Sequence, residues 1–248
     1  MDENVNAQPA PIGSAIWWRD RYLRRQRARG RGLDIDTICA AALTILDRDG
    51  LADLTMRRVA EELGTGSASL YRHVASRDEL LTEVADLILG EVPEPDPELN
   101  WRDSVDQIAR GLRAAILSHQ SVVLAVARGP LLGPNAMRIR ELCWRAMDRD
   151  GCDPQFTVQT FFTVIHFVVC SCMFSLGARQ SDGGPWQGGT SSSGLADLLD
   201  ALPTRQFPTV LKLSEFGDKP DPAYDFDLGL TALLDGLAAL AAKTPPAN

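Results

Sequence analysis

Residues 54–81 read LTMRRVAEELGTGSASLYRHVASRDELL, and this stretch decides the fold. Thr55 is a typical N-cap, the apolar residues after it have helical spacing, and Gly64 is a typical helix stop. A phosphate-binding dinucleotide loop would need a preceding strand and a third glycine, but a helix precedes Gly64 and position 69 is serine. Gly64 and Gly66 therefore predict a tight turn between two short helices. In such a helix-turn-helix the second helix, here SASLYRHV, enters the major groove of DNA.

The segments on either side of this turn complete a small domain. Apolar residues recur at helical spacing from Ile35, and Gly50 ends that helix. Ser76 and Glu79 have capping-box spacing at the start of a further helix. The three prolines of PEPDPELN, which begin at residue 93, cannot continue a helix and mark a domain boundary. Residues 34–92 are thus predicted to form a helix-turn-helix domain that includes a connecting fourth helix.

The rest of the chain, residues 101–248, is predicted to form a second and larger helical domain. No alternating strand pattern competes with the helical spacing, so the predicted fold class is all-α. Residues 181–194 are rich in glycine and serine and are predicted to be a flexible loop. The predicted helices span residues 101–119, 122–128, 134–150, 154–178, 195–202, 209–216 and 224–242.

Composition favours a cytoplasmic globular protein. The chain has 248 residues, 45% of them hydrophobic, and a net charge of −8, which suffices for a real core. Its five cysteines have no CxxC spacing, which indicates a reducing compartment. The N-terminus lacks the apolar core of an export signal. Neither the cysteines nor the three histidines have the spacing of a metal site or a catalytic triad, so we expect no enzyme activity, metal or cofactor.

One segment leaves a second class of protein open. Residues 154–178 contain no Asp, Glu, Lys or Arg and approach the ~20 residues that span a bilayer. Scattered polar side chains and acidic flanks favour a helix buried in protein over one in lipid. A membrane-associated protein that uses this segment is therefore the alternative to a soluble one without membrane contact.

The second helix of the turn carries side chains suited to DNA. With Leu70 and Val74 facing the domain core, the small and polar residues at positions 67–69 and 71–73 face outward. Arginine can pair with guanine, small residues allow close approach, and tyrosine and histidine can reach phosphates. A solvated charge run that balances nearby acids is the competing interpretation of the arginines. The predicted DNA contacts in this domain are Thr55, Arg57, Arg58, Ser67, Ala68, Ser69, Tyr71, Arg72, His73 and Arg77.

A basic segment precedes this domain. Seven arginines and one acid lie between residues 12 and 32, in a chain that is acidic overall. Residues 1–33 are predicted to be a flexible basic arm that is helical only in part. Arginines on such an arm can enter the minor groove or lie along phosphates, although a solvated charge run fits equally well. The predicted contacts from the arm are Arg24, Arg25, Arg27 and Arg29.

The segment ALTILDRDGLADLTMRRVAEELGTGSASLYRHVASRDELLTEVAD closely resembles the DNA-binding domain of the TetR family of transcriptional repressors. The resemblance rests on the small residues before LYRHV and on the SRDELL that opens the next helix. More faintly, WRDSVDQIARGLRAAILSH, GPLLGPNAMRIRE and FDLGLTALLDGLAAL look like the C-terminal domain of the branch that contains the tetracycline repressor. The resemblance implies a homodimer that binds near-palindromic double-stranded operator DNA. It also implies a small-molecule effector pocket in each core, whose occupation releases the operator.

The resemblance does not imply the same ligand. Where tetracycline repressors place the polar and magnesium-holding residues of their pocket, this sequence has Ile108, Leu112 and Val126. An apolar, aromatic or polyketide-like ligand suits such a pocket better than a magnesium–tetracycline complex. Each residue is also compatible with a plain core position. The predicted pocket residues are Ile108, Leu112, Val126, Met137, Trp144, Met147, Phe162, His166 and Met173.

Overall fold

The computed structural model describes residues 10–27, 33–128, 131–179, 192–214 and 221–243. Within these ranges the regular structure is entirely helical, which confirms the all-α prediction. Two single turns of 3₁₀ helix, Leu51–Asp53 and Gln120–Val122, join longer elements. The helices are α1 (Ala15–Arg27), α2 (Ile35–Asp49), α3 (Met56–Glu62), α4 (Ser67–Leu70), α5 (Arg77–Leu89), α6 (Trp101–Ser118), α7 (Val123–Arg128), α8 (Pro134–Arg149), α9 (Pro154–Arg179), α10 (Ser192–Ala201), α11 (Pro208–Ser214) and α12 (Pro222–Ala241).

Local side-chain chemistry sets the helix ends of the small domain. The hydroxyl of Thr55 accepts a hydrogen bond from the backbone N–H of Arg58 at 3.2 Å, as an N-cap does. Gly50 and Gly64 both have positive φ, at +85° and +60°, a conformation that favours glycine. These observations confirm the predicted end of α2 and the predicted limits of α3.

The helix after the turn is shorter than the segment SASLYRHV. The α-helix ends at Leu70, and turn residues continue the chain to His73. Leu70 and Val74 are fully buried against the domain core, as predicted. Ser76 then accepts a hydrogen bond from the N–H of Glu79 at 3.1 Å, and the Glu79 carboxylate accepts one from the N–H of Ala75 at 2.7 Å.

The larger domain is a helical bundle that packs on α5. Helix α6 packs against α8, α9 and α12, and α9 also packs against α7, α8 and α12. Helix α5 contacts α2 in the small domain and α6, α7 and α8 in the large one, so a single continuous core joins both domains. Helix α5 therefore provides most of the contact between the two domains, and α2 adds a smaller contact with the 3₁₀ turn Gln120–Val122.

Helix α9 is long and apolar enough to cross a membrane by length and composition. Only 39% of its most apolar window is buried within one protomer. Phe174, at 75% exposure, is the most exposed of its large apolar side chains. Part of the apolar surface of this helix is therefore uncovered within one protomer.

Part of the segment predicted to be a flexible, partly helical arm forms a packed helix. Residues 15–27 form α1, and Trp17 and Trp18 are buried. The Arg21 side chain is 7% exposed and pairs with Glu83 of α5, whose side chain is 0% exposed. The run of arginines predicted a segment that binds a polyanion. In the structure, however, the buried Glu83 of α5 neutralises Arg21. Residues 1–9 and 28–32 of the predicted arm lie outside the described residues.

Candidate DNA-reading surface and effector pocket

The outer face of α4 and of the turn after it carries the predicted reading residues. Ala68, Tyr71 and Arg72 are exposed, whereas Ser67, Ser69 and His73 are half-buried. Arg72 donates a hydrogen bond to the Ser69 hydroxyl at 3.2 Å and forms no ion pair with any described residue. Its guanidinium can therefore turn to a base edge without breaking an internal salt bridge.

The arginines flanking this face are in three different situations. Arg57 is highly exposed and has only a loose contact of 3.6 Å with Glu61. Arg58 donates to both Asp49 and Asp53 at 2.6 Å. Two acids of its own domain thus pair with Arg58. This arrangement agrees with the competing interpretation, in which the arginines balance nearby acids.

Arg77 lies at the start of α5 and is bound to backbone. Its guanidinium donates to the carbonyl oxygens of Leu54 at 2.8 Å and Leu51 at 2.6 Å. These bonds join α5 to the loop before α3. In this structure two of the Arg77 guanidinium nitrogens are therefore engaged with the backbone of the small domain.

The arginines predicted to contact DNA from the N-terminal segment also differ. Arg24 is exposed on α1. Arg25 donates to the second carboxylate oxygen of Glu83 at 2.6 Å, so α5 holds it. Arg27 lies in α1 without a described side chain, and Arg29 lies outside the described residues.

Arg21 connects α1, α5 and the end of the reading segment. It pairs with Glu83 and contacts Glu79 at 3.4 Å, and its guanidinium donates to the carbonyl oxygen of His73 at 3.1 Å. It also stacks over the Trp17 ring at 4.6 Å. Burial raises the pKa of Glu83, although the positive charges of Arg21 and Arg25 oppose that rise. This network fixes the chain immediately after α4 relative to α5.

A second buried acid joins α5 to the large domain. Asp86 accepts hydrogen bonds from the backbone N–H groups of Asn135 at 3.1 Å and Ala136 at 3.0 Å, in the first turn of α8. Burial raises the pKa of Asp86, while these N–H groups oppose the rise. A Cβ atom at Gly133 would lie 2.2 Å from the Asp86 carboxyl carbon, so the close approach requires glycine there. Helix α5 thus bonds to α1 through Glu79 and Glu83, and to α8 through Asp86.

The large domain encloses a cavity of about 10 Å³, roughly the space of one water molecule. Of the predicted pocket residues, Ile108 and Met147 line it. Leu112 and Val126 are buried elsewhere in the same core, and Trp144 is half-buried. The lining also includes Val105, Ala109, Cys143, Thr160, Phe161, Val164 and Ile165, which sequence reasoning missed.

Four of the predicted pocket residues lie on the outside of the single protomer. Met137, Phe162, His166 and Met173 are all exposed. Helix α9 is apolar on every side, so its sequence offered no periodicity to tell the cavity-lining face from the outer face. Thr160 and Val164, one turn apart, mark the inward face in the structure.

The small domain is a helix-turn-helix with an exposed outer face, and α5 joins it to a helical domain that contains a cavity. This combination is typical of a class of transcriptional regulators. Two family profiles match: "Bacterial regulatory proteins, tetR family" over residues 38–84, and "Tetracyclin repressor-like, C-terminal domain" over residues 94–241. The chain belongs to the TetR family of transcriptional regulators, which are not enzymes.

Individual relatives cover nearly the whole chain. The HTH-type transcriptional repressor DrrR1 of Streptomyces coeruleorubidus is 31% identical, over 92% of this chain and 85% of DrrR1. The crystal structure of ActR from Streptomyces coelicolor in complex with actinorhodin has 35% identity and a TM-score of 0.72, and covers 85% of this chain and 99% of ActR. BioQ bound to its natural double-stranded DNA operator has 30% identity and a TM-score of 0.57, and covers 84% of this chain and 99% of BioQ. The family match identifies the chain as a soluble regulator in which α9, although long and apolar enough to cross a membrane, is part of the large helical domain.

Proposed function

We propose that the protein is a cytoplasmic, homodimeric repressor that binds a near-palindromic operator and releases it when a small, largely apolar molecule occupies the core. The observation that carries the proposal is the position of α5. Its Glu79 and Glu83 hold Arg21, which bonds to the His73 carbonyl behind the reading segment, and its Asp86 holds the first turn of α8. If a ligand displaces α8, the hydrogen bonds of Asp86 move α5, and the contacts of α5 with Arg21 move the segment that follows α4.

The proposal of DNA binding rests on the free outer face of α4 and on the relatives. Tyr71 and Arg72 are exposed there without a competing acid among the described residues. BioQ, of similar fold, has been solved with its double-stranded operator. By this reasoning Arg72 reads a base edge, Thr55 and Arg57 contact phosphates, and Ser67, Ala68 and Ser69 allow close approach.

The proposal of a homodimer rests on apolar surface that one protomer leaves uncovered. Phe162 and Phe174 on α9 and Tyr224 and Leu228 on α12 are exposed, and these two helices pack side by side. A two-fold four-helix contact would cover both faces. Two-fold symmetry would also present two copies of α4 to half-sites about one helical turn apart, ~34–36 Å.

Light scattering after size exclusion tests the dimer. We expect Phe174→Glu to convert a dimer to a monomer, because it places a charge in the proposed contact. Tyr22→Glu, at an exposed aromatic residue on α1, is the matched control and should remain dimeric. A wild-type monomer at micromolar concentration, or a Phe174→Glu variant that is still dimeric, would contradict the proposed contact.

The proposal of effector release rests on the core cavity and on the relatives. ActR has been solved with actinorhodin. In the present chain the cavity of about 10 Å³ is too small for such a molecule, so a ligand that enters the core must separate α6, α8 and α9. Release requires that the molecule bind the non-operator conformation more tightly, by a coupling free energy of typically ~1–3 kcal/mol.

Release is tested by fluorescence anisotropy of a labelled operator duplex. The duplex is first selected from a random pool by the purified protein, and polycyclic aromatic compounds are then added. We expect at least one compound to lower the anisotropy at concentrations that leave an unrelated protein–DNA complex intact. If compounds shown by calorimetry to bind the core never change operator affinity, the coupling does not exist.

A further inference from the structure

Arg140 of α8 is a cation without a carboxylate partner among the described residues. Its guanidinium carbon lies 5.6 Å from the ring centre of Trp144, 5.2 Å from that of Phe161 and 5.5 Å from that of Phe162. Its Nε atom is buried and has no hydrogen-bond partner. Burial lowers the pKa of Arg140, because the charged form has lost solvent without gaining an anion.

Three further polar atoms in α8 and α9 are buried and unpartnered: Trp144 Nε1, Thr157 Oγ1 and Thr160 Oγ1. Trp144 lies one helical turn after Arg140, and Thr157 lies one turn before Phe161, a ring that contacts both Arg140 and Trp144. Thr160 lines the core cavity, as does Phe161. Leaving a buried polar group without a hydrogen-bond partner is destabilising, so a concentration of such groups needs an explanation.

These four atoms can all act as hydrogen-bond donors. Arginine Nε and indole Nε1 only donate hydrogen bonds, and a threonine hydroxyl can donate one. A ligand that satisfies them must therefore bring acceptors, and an anionic acceptor would also neutralise Arg140. The aromatic rings around the guanidinium would contact a planar ring system on the same ligand.

Arg113 shows what a structural arginine in the same domain looks like. Its Nε is also buried and unpartnered, but its Nη2 donates to the Pro222 carbonyl at 3.1 Å and its guanidinium lies 4.6 Å from the Phe226 ring. Arg113 thereby ties α6 to the start of α12. Arg140 has no such backbone anchor among the described residues.

We infer that Arg140, with Trp144, Thr157 and Thr160, receives the carboxylate of an aromatic acid whose rings enter the core cavity beside Phe161. The inference rests on the proposed effector function and narrows the effector from a largely apolar molecule to one with a single acidic group. A carboxylate can accept both from Arg140 and from one of the other donors, and the apolar remainder fills the space that opens between α8 and α9.

Isothermal titration calorimetry with matched probes tests this site. The probes are benzoate, 2-naphthoate and anthraquinone-2-carboxylate, each compared with its neutral amide. We expect at least one acid to bind the wild type at least tenfold more tightly than its amide, equivalent to about 1.4 kcal/mol. Arg140→Met should remove that preference while changing amide affinity little, and Arg140→Lys should keep part of it. Arg145→Met, at an exposed arginine of the same helix, should keep all of it.

Thermal unfolding without ligand provides a second readout. We expect Arg140→Met to leave the melting temperature unchanged or higher, because the substitution removes an unpaired, desolvated cation. A lower melting temperature with loss of the dimer would show that Arg140 pairs with an acid of the partner protomer, and would overturn the inference. Equal binding of acids and amides, or no binding by any acid, would also overturn it. A wild type that selects no DNA from a random pool would instead refute the proposed function, so the two failures are distinguishable.

Discussion

Arg21→Ala is expected to destabilise the small domain strongly. The substitution removes one partner of a buried ion pair, in which Arg21 is 7% exposed and Glu83 0% exposed. Breaking such a pair from one side costs ~3–5 kcal/mol, because it leaves an uncompensated buried charge. Arg25 stays 2.6 Å from Glu83, so we expect the lower end, about 3 kcal/mol.

The cost of Arg21→Ala should depend on pH. Burial already raises the pKa of Glu83 above its ordinary value of 4.5, and removing Arg21 raises it further, since that cation favours the ionised carboxylate. Because the pKa of Glu83 is higher in the folded protein than in the unfolded chain, the folded protein binds the proton more tightly. The free energy of unfolding therefore falls as the pH rises from the unfolded-state pKa through the folded-state pKa. The loss caused by Arg21→Ala should therefore be smaller near about pH 5 than near about pH 8.

Urea unfolding followed by circular dichroism at both pH values measures this effect. Arg24→Ala, at an exposed arginine of the same helix, is the matched control and should cost well under 1 kcal/mol, roughly the scale of a surface charge. Adding Glu83→Gln to Arg21→Ala should remove the extra pH dependence. If Arg21→Ala costs no more than Arg24→Ala, the role assigned to α1 in holding α5 is wrong.

Three further outcomes follow from the site. Arg72→Ala should weaken binding to the best operator by ~1–3 kcal/mol and relax preference at one base pair, and anisotropy titrations that show equal loss on every sequence would assign Arg72 to a phosphate instead. Asp86→Ala should lower the free energy of unfolding by ~0.5–2 kcal/mol through loss of the α8 cap, and an unchanged urea midpoint would contradict that role. Arg24→Ala should reduce the slope of log affinity against log salt by about one if α1 contacts a phosphate, whereas an unchanged slope would leave Arg24 a solvated charge.

The helix limits of the small domain could be predicted from the sequence because they depend on residues close together in the chain. The cap at Thr55, the stop at Gly64 and the box formed by Ser76 and Glu79 each involve residues within one helical turn of a helix end. The structure confirms these helix limits almost to the residue, although α4 itself is shorter than the segment SASLYRHV.

The features that the sequence did not reveal all depend on distant partners. Arg21 looked like one member of a basic run, and only the fold brings it to Glu83 on another helix. Arg140 has an ordinary helical setting in sequence, but Phe161 and Phe162 reach it from the next helix. Periodicity defines a face only where polar residues collect on the opposite side, and the polar residues of α9 are scattered around the helix.

The most direct test of operator binding by a symmetric dimer is the selection of duplexes from a random DNA pool by the purified wild-type protein. Sequencing should show one enriched inverted repeat, with half-site centres about one helical turn apart. The Arg72→Ala variant should enrich the same repeat with less preference at one position in each half. No enrichment, or enrichment of an unpaired half-site or a direct repeat, would contradict operator recognition by a two-fold dimer.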